Sequence, residues 1–281
     1  HDGRIRIAVH PSATYNCTQR LLLKGMELSE KYDVQYATHV AEAPDERARA
    51  DATWADEGGE IQHLYRIGLM TPRTLFYHGT TLSEAEIDLL AETGVALAHC
   101  PPTNSILGNC AYVPYMLEKG VKVGLGTDMP THNLFNVMLS VSQQHNIMPR
   151  EKRGLLPWVP FELATLGGAR ALRWEDQIGT LEPGKRADVV TIDLRRDTRF
   201  VGLNVGNLLT MMAANAPGTE VSDSMVDGKF LRRDGKFLYF DEEEIINRAE
   251  YWCEKFTADM MQAKAKGTPT FERVHEEYQR N

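Results

Sequence analysis

Five short apolar runs, each closing on a histidine or an aspartate, constrain this chain more than any other feature. They are RIRIAVH (4–10), VQYATH (34–39), TLFYH (74–78), GVALAHC (94–100) and VKVGLGTD (121–128). Amphipathic patterns separate them: CTQRLLLKGMELSEKY, EGGEIQHLYRIGLM, LSEAEIDLLAETG and YVPYMLEKG. Strands alternating with helices of this size indicate βαβ units and a parallel sheet. The strand runs are apolar almost throughout, as expected when helices cover both faces. In LSEAEIDLLAETG the punctuation is explicit, with Ser83 as N-cap, acids in the first turn and Gly94 at the C-terminal side.

His10, His39, His78, His99 and Asp128 thus recur at the same structural position, roughly 20 to 40 residues apart. A lone histidine is usually a surface or satisfied core residue. Five polar groups at consecutive strand ends match the edge where a (β/α)8 barrel carries its active site. Five strands cannot close that barrel, and the chain enters a strand almost at once.

Beyond Asp128 the pattern changes. NLFNVMLSVSQQHN and PFELATLGGARALRW read as helices. IGTLEPGKRADVVTIDL then carries a Pro183-Gly184 turn and a strand over 188–194. SDSMVDGKFLRR and GKFLYF flank Asp227-Gly228 and Asp234-Gly235, which are hairpin signals. A long helix over 241 to about 266 and a tail follow. The expected division is a partial barrel over 1–175, part of a small β-sandwich over 176–240, and a C-terminal helix and tail over 241–281.

Composition narrows the function classes. The 281 residues are 42% hydrophobic and carry a net charge of −8, which suits a globular enzyme and argues against a duplex nucleic-acid binder. No apolar run reaches the roughly 20 residues of a membrane span. The N-terminus has no signal-peptide pattern. Four cysteines without a CxxC pair read as buried thiols of a reducing compartment, so a cytoplasmic location is expected.

His39, His78 and Asp128 together offer imidazole nitrogens and a carboxylate. That set suits a catalytic zinc with an open position, and iron or another first-row divalent ion would also accept it. Glu42, three residues after His39, is a carboxylate able to move a proton. Taken singly, HVAE and GTD carry little information; their joint placement at strand ends carries the reading.

The sequence resembles the amidohydrolase superfamily. Its closest likeness is to the aminohydrolases of cyclic C–N substrates, a branch holding methylthioadenosine/S-adenosylhomocysteine, guanine and cytosine-type deaminases and the triazine hydrolases. THVAE (38–42) looks like the strand-five motif, and FYHGTTLSEAEIDLLAETGVALAHCPPTN (76–104) like strands six and seven. GLGTDMPTHN (124–133) looks like strand eight, and IGTLEPGKRADVVTIDL (178–194) like the return to a composite β-sandwich. The motifs run in the family's order over residues 4 to about 240.

The resemblance implies that His39 binds metal, that Asp128 binds metal and acts as base, and that Glu42 shuttles protons. It implies that His78 ligates the metal or orients the hydrolytic water beside it. His99 and Asn104 would support the ligands or line the substrate, or simply pack the strand-seven loop. His10 would meet substrate from the strand-four loop. His132 and Asn133 would line the pocket, although His132 also reads as an exposed loop residue. His63, His145 and His275 read as ordinary surface residues.

One departure matters most. The family's first strand ends in His-x-His, and no HxH occurs in this sequence. The expectation is therefore the C-terminal part of the enzyme, from about strand four. A segment or partner chain would carry HxH and strands one to three, in a homo-oligomer. MPTHN after the GTD, and HVAEAPDE in place of a His-Leu-Ala-Glu-Thr run, count against a nucleoside and leave other small nitrogen heterocycles open. The implied reaction is metal-dependent hydrolytic deamination of such a heterocycle. Cyclic-amide, ring-opening or dechlorinating hydrolysis on the same site, and a non-catalytic scaffold subunit, are the alternatives.

Overall fold

The computed structural model describes residues 3–129, 131–147, 154–194, 197–215 and 218–266. Five parallel strands form one sheet in chain order: β1 (Ala8–Val9), β2 (Gln35–Val40), β3 (Thr74–His78), β4 (Ala96–His99) and β5 (Lys122–Leu125). Sequential parallel order with a helix in every connection is the arrangement of consecutive strands in a (β/α)8 barrel. The register pairs Val40 with His78 and His99 with Leu125, so the polar strand ends lie level.

Four strands fall within a residue or two of their apolar runs. The first does not. Only Ala8 and Val9 pair, while Ile5 and Ile7 are 63% and 73% exposed. β1 has no neighbour on its outer side among the described residues, so the pairing that would extend it is missing.

The helices follow their signals. The helix Glu84–Thr93 begins with a full capping box between Ser83 and Glu86 and ends at Gly94 in the left-handed region. The helix Gln19–Lys31 is capped by Thr18, whose hydroxyl accepts from the Leu21 N–H. Their apolar faces join Tyr36, Phe76 and Leu97 of the sheet in one core. Three helices have no counterpart among the expected patterns: Pro44–Thr53, Pro101–Ile106 and Leu208–Asn215, the first two opened by a proline in the first turn.

LGGARAL does not continue a regular helix. Val159–Glu162 passes into a π turn over Leu163–Gly167, then into Gly168–Ala171. The cause is close packing on β5. A Cβ on Gly124 would sit 2.9 Å from the Gly168 Cα, and one on Gly167 would sit 2.5 Å from the Val123 carbonyl. Backbone meets backbone there, and only glycine permits it.

The second sheet is an antiparallel meander of β6 (Val189–Ile192), β7 (Val221–Val226), β8 (Lys229–Arg233) and β9 (Lys236–Phe237). Asp227-Gly228 and Asp234-Gly235 both have positive φ at both residues, the type I′ requirement of a tight hairpin. The helix Glu242–Ala265 follows, capped by Asp241, with no buried residue along its length. The expected tail from 267 onward, with His275, lies outside the described residues.

Two histidines expected at the surface are buried. His63 is fully buried, stacked on Trp54 at 3.6 Å between ring centroids, with Nδ1 3.0 Å from Glu57. His145 is 5% exposed on the core side of the helix Leu134–Ile147. Helical position alone does not fix which face of a helix a histidine occupies.

Two predictions follow from this packing. Gly124→Ala should destabilise the chain by about 1–3 kcal/mol, read as a lower midpoint in chemical denaturation, because the meeting backbones cannot yield as side chains do. Burial pushes His78 and His145 down to about 4 from an ordinary 6.5. Between those values the unfolded chain takes up protons that the folded one refuses. Stability is therefore full above about 6.5 and falls as the pH drops toward 4, by up to roughly 3 kcal/mol per group. Metal-free protein melted across that range should show the loss, and His145→Gln should flatten the curve.

Candidate active site

The site sits where β2 and β3 end and the segment after β5 begins. β2 delivers His39 one residue before its end, and β3 ends on His78. Asp128 follows β5 by three residues. The backbone around them is unusual. Ala41, His78 and Asp128 have φ of 49°, 70° and 47°. Such left-handed conformations cost non-glycine residues on the order of 1–3 kcal/mol and persist where the surroundings over-determine them.

The hydrogen bonds around Ala41 show how. Its N–H donates to Glu60 Oε2 at 3.1 Å, and its carbonyl accepts from the Thr81 N–H at 3.1 Å. Glu60 is almost fully buried and also accepts from the Thr14 hydroxyl. Burial pushes the Glu60 carboxyl up to about 7, against the pull of Thr14 and Arg47. One carboxyl thus ties the loop after β1 to the turn carrying Glu42.

His39 is fixed from behind. Its backbone N–H and its ring Nδ1 both reach the Ser12 carbonyl, at 3.0 and 2.7 Å. With Nδ1–H donating, the Nε2 lone pair is free to bind a metal. The His39 ring stacks on His78 with centroids 5.3 Å apart. His10 completes the group: its Nε2 lies 3.3 Å from His39 Nδ1, and it packs edge-on against Tyr77.

His78 is held from the opposite side. The Asn104 amide nitrogen donates to its Nδ1 at 3.0 Å. The neutral ring then carries its proton on Nε2, which faces Glu42 Oε1 at 3.5 Å and Asp128 Oδ2 at 3.9 Å. Burial, followed by repulsion from His39, keeps His78 neutral near pH 7. In this tautomer His78 is a hydrogen-bond donor at the mouth of the site.

Glu42 is the titrating group. Burial, then the nearby Glu46 and Asp128, pushes its carboxyl up to about 7. Burial, then Glu46, also pushes the Tyr15 phenol up. A carboxyl poised near neutrality is suited to general acid and base work.

The donor atoms fit a divalent ion. One atom each from His39, Glu42 and His78 lies within 4.8 Å of the others, and the same holds for His78, Cys100 and Asp128. The two groups share His78, whose Nε2 is near both Glu42 and Asp128. Nitrogen and carboxylate donors of this kind suit zinc or iron.

The structure brings together His10, His39, Glu42, His78, Asn104 and Asp128. The other three candidates sit elsewhere. His99 is fully buried with its Nε2 facing His145. His132 is exposed. Asn133 accepts the Phe135 N–H at the start of the helix Leu134–Ile147. Glu60, Glu46 and Tyr15 were not among the expected residues. Glu46 stands four residues from Glu42, a helical spacing, and was legible only if a helix was expected over 44–53. Glu60 had no signal beyond an acid after Gly58-Gly59.

The chain is 35% identical over 246 residues to a 5-methylthioadenosine/S-adenosylhomocysteine deaminase of Nitratidesulfovibrio vulgaris (strain DSM 19637 / Miyazaki F), covering 86% of this chain and 54% of that protein. It is 32% identical to a 5'-deoxyadenosine deaminase of Methanothermobacter thermautotrophicus, covering 89% of this chain and 58% of that one. Among solved structures, an adenosine deaminase from Xanthomonas campestris with bound zinc superimposes with a TM-score of 0.80 at 26% identity, over 89% of this chain and 57% of the other. The chain thus spans about half the length of the curated relatives it matches. Residues 1–231 match the amidohydrolase family, and the chain belongs to it.

Proposed function

We propose that this chain carries the catalytic half of a metal-dependent aminohydrolase, which removes an exocyclic amine from a small nitrogen heterocycle by hydrolysis. The observation that carries the reading is the convergence of His39, Glu42 and His78 beside Asp128, with Glu42 poised near neutrality. His39 Nε2 and an Asp128 oxygen would hold the ion. Zinc is the first choice, since the similar Xanthomonas structure holds it. When bound, such an ion lowers the pKa of water from about 15.7 to about 7.

The chain's own residues supply the rest. Asp128 and Glu42 flank the space in front of His78 Nε2, so a water there has a carboxylate on each side to take its proton. Glu42, half-buried and backed by Glu46, passes that proton to a ring nitrogen and then to the departing amine. His78 donates its Nε2–H to the oxygen that gains charge as the ring carbon becomes tetrahedral. Asn104 keeps His78 in the tautomer that does so.

The relatives' names make an adenine-type nucleoside the first substrate class to test, ahead of other aminoheterocycles. The ligand set is completed, on this reading, by a segment bearing HxH and the first barrel strands. The absence of HxH from this sequence, the exposed Ile5 and Ile7 beside the unpaired edge of β1, and the half-length match to the relatives support that arrangement.

The test is an ammonia-release screen over aminopurine nucleosides, aminopyrimidines and triazines, run on the protein with that segment present. Release from at least one class is expected, and none from the whole panel would sink the deaminase reading. Glu42→Gln should lower kcat by about 10²–10⁴-fold while metal content holds, because only proton transfer is lost. His39→Ala or Asp128→Ala should instead remove the metal, measured by elemental analysis. Full metal retention in both variants would refute the ligand assignment.

A further inference from the structure

A second group of metal-type donors lies at the end of β4 and shares no residue with His39, Glu42, His78 or Asp128. His99 ends β4, Cys110 lies in the loop before the helix Val113–Glu118, and Gln144 and His145 sit on the helix Leu134–Ile147. His99, Cys110 and His145 are all buried, at 0%, 9% and 5% exposure. His99 Nε2 and His145 Nε2 stand 3.2 Å apart. Cys110 Sγ is 3.9 Å from His145 Nδ1 and 3.2 Å from Gln144 Oε1. One donor atom from each of His99, Cys110 and His145 lies within 4.8 Å of the other two.

As a hydrogen-bonded cluster this group is weak: one N–H between the imidazoles satisfies their facing nitrogens, burial holds both rings neutral, and the thiol is a weak donor. The Gln144 amide is also oriented: its Nε2 donates to the Pro101 carbonyl at 2.8 Å and to the Ser105 hydroxyl. Its Oε1 is thereby aimed at the Cys110 sulfur, a weak donor.

We propose that His99, His145 and Cys110 bind a structural zinc ion, with Gln144 Oε1 as the fourth donor. Two imidazoles on one zinc at about 2.0–2.1 Å in tetrahedral geometry have their nitrogens about 3.3 Å apart, close to the observed separation. Neutral imidazoles and a thiolate are borderline-soft ligands that suit zinc. On binding, Cys110 gives up its thiol proton to solvent and its sulfur turns from His145 Nδ1 to the ion on the Nε2 side. Four protein donors close the coordination sphere, so the ion serves structure. It would pin the helix Leu134–Ile147 to the end of β4, next to the strand end that carries Asp128.

Cobalt distinguishes this site from the strand-end centre. The full chain, stripped with a chelator, is reloaded with Co²⁺ and followed in the near ultraviolet, where a thiolate-to-cobalt charge-transfer band reports a cysteine ligand. The only other thiol grouped with metal-type donors among the described residues is Cys100. The band is expected in the wild type and in Cys100→Ser, and is expected to vanish in Cys110→Ser. His145→Gln should weaken cobalt binding at this band by roughly tenfold or more, and it carries the test if Cys110→Ser does not fold. No band at saturating cobalt, or a band lost with Cys100 and kept without Cys110, would overturn the proposal. Neither result depends on whether the strand-end site is a deaminase.

Discussion

Parallel pairing in chain order is the constraint on which the rest depends. Each strand of the first sheet hydrogen-bonds to its predecessor and its successor in the chain. Parallel strands need a crossover, and the crossover helices bury one face of the sheet. The carboxyl ends of all strands therefore face one way, and every connection that leaves them starts from the same edge. The register sets His39 level with Tyr77, and the left-handed backbone at His78 takes that ring out of strand alternation to lie beside the ring of His39. Register and turn together make the site.

What the register cannot do is orient the side chains, and a layer of polar contacts does that. The Ser12 carbonyl sets the tautomer of His39, Asn104 sets that of His78, and Glu60 holds the backbone turn from which Glu42 projects. None of the three supplies an atom to the centre itself. Two of them act directly on Ala41 and His78, which sit in conformations that non-glycine residues seldom adopt. Burial then acts in two directions on two neighbours: it holds a proton on Glu42 up to about pH 7 and keeps one off His78. An acid and a neutral donor are obtained from one desolvated cleft.

Much of this was legible in the sequence because the deciding interactions are local. Four of the five apolar runs, the Ser83 cap, Gly94, and the two Asp-Gly turns act through their own backbone, and those elements formed close to their signals. The likeness in THVAE, HCPPTN and GLGTD located the strand ends in order. The misses involve partners distant in the chain. β1 is short because of what lies beside it. The π turn arises because Gly167 and Gly168 meet β5, some forty residues back in the chain. His63 and His145 are buried because Trp54 and His99 stand opposite them. The Glu60 carboxyl is significant only because Thr14 and Ala41 converge on it. No spacing rule reaches across such separations.

The strand order also bears on how the chain acquires its structure. Each parallel pair joins segments that are neighbours in sequence, so the loop to be closed is never longer than one crossover. Low sequence separation between contacting elements favours rapid folding. The sheet can therefore grow one strand at a time as the chain emerges during synthesis.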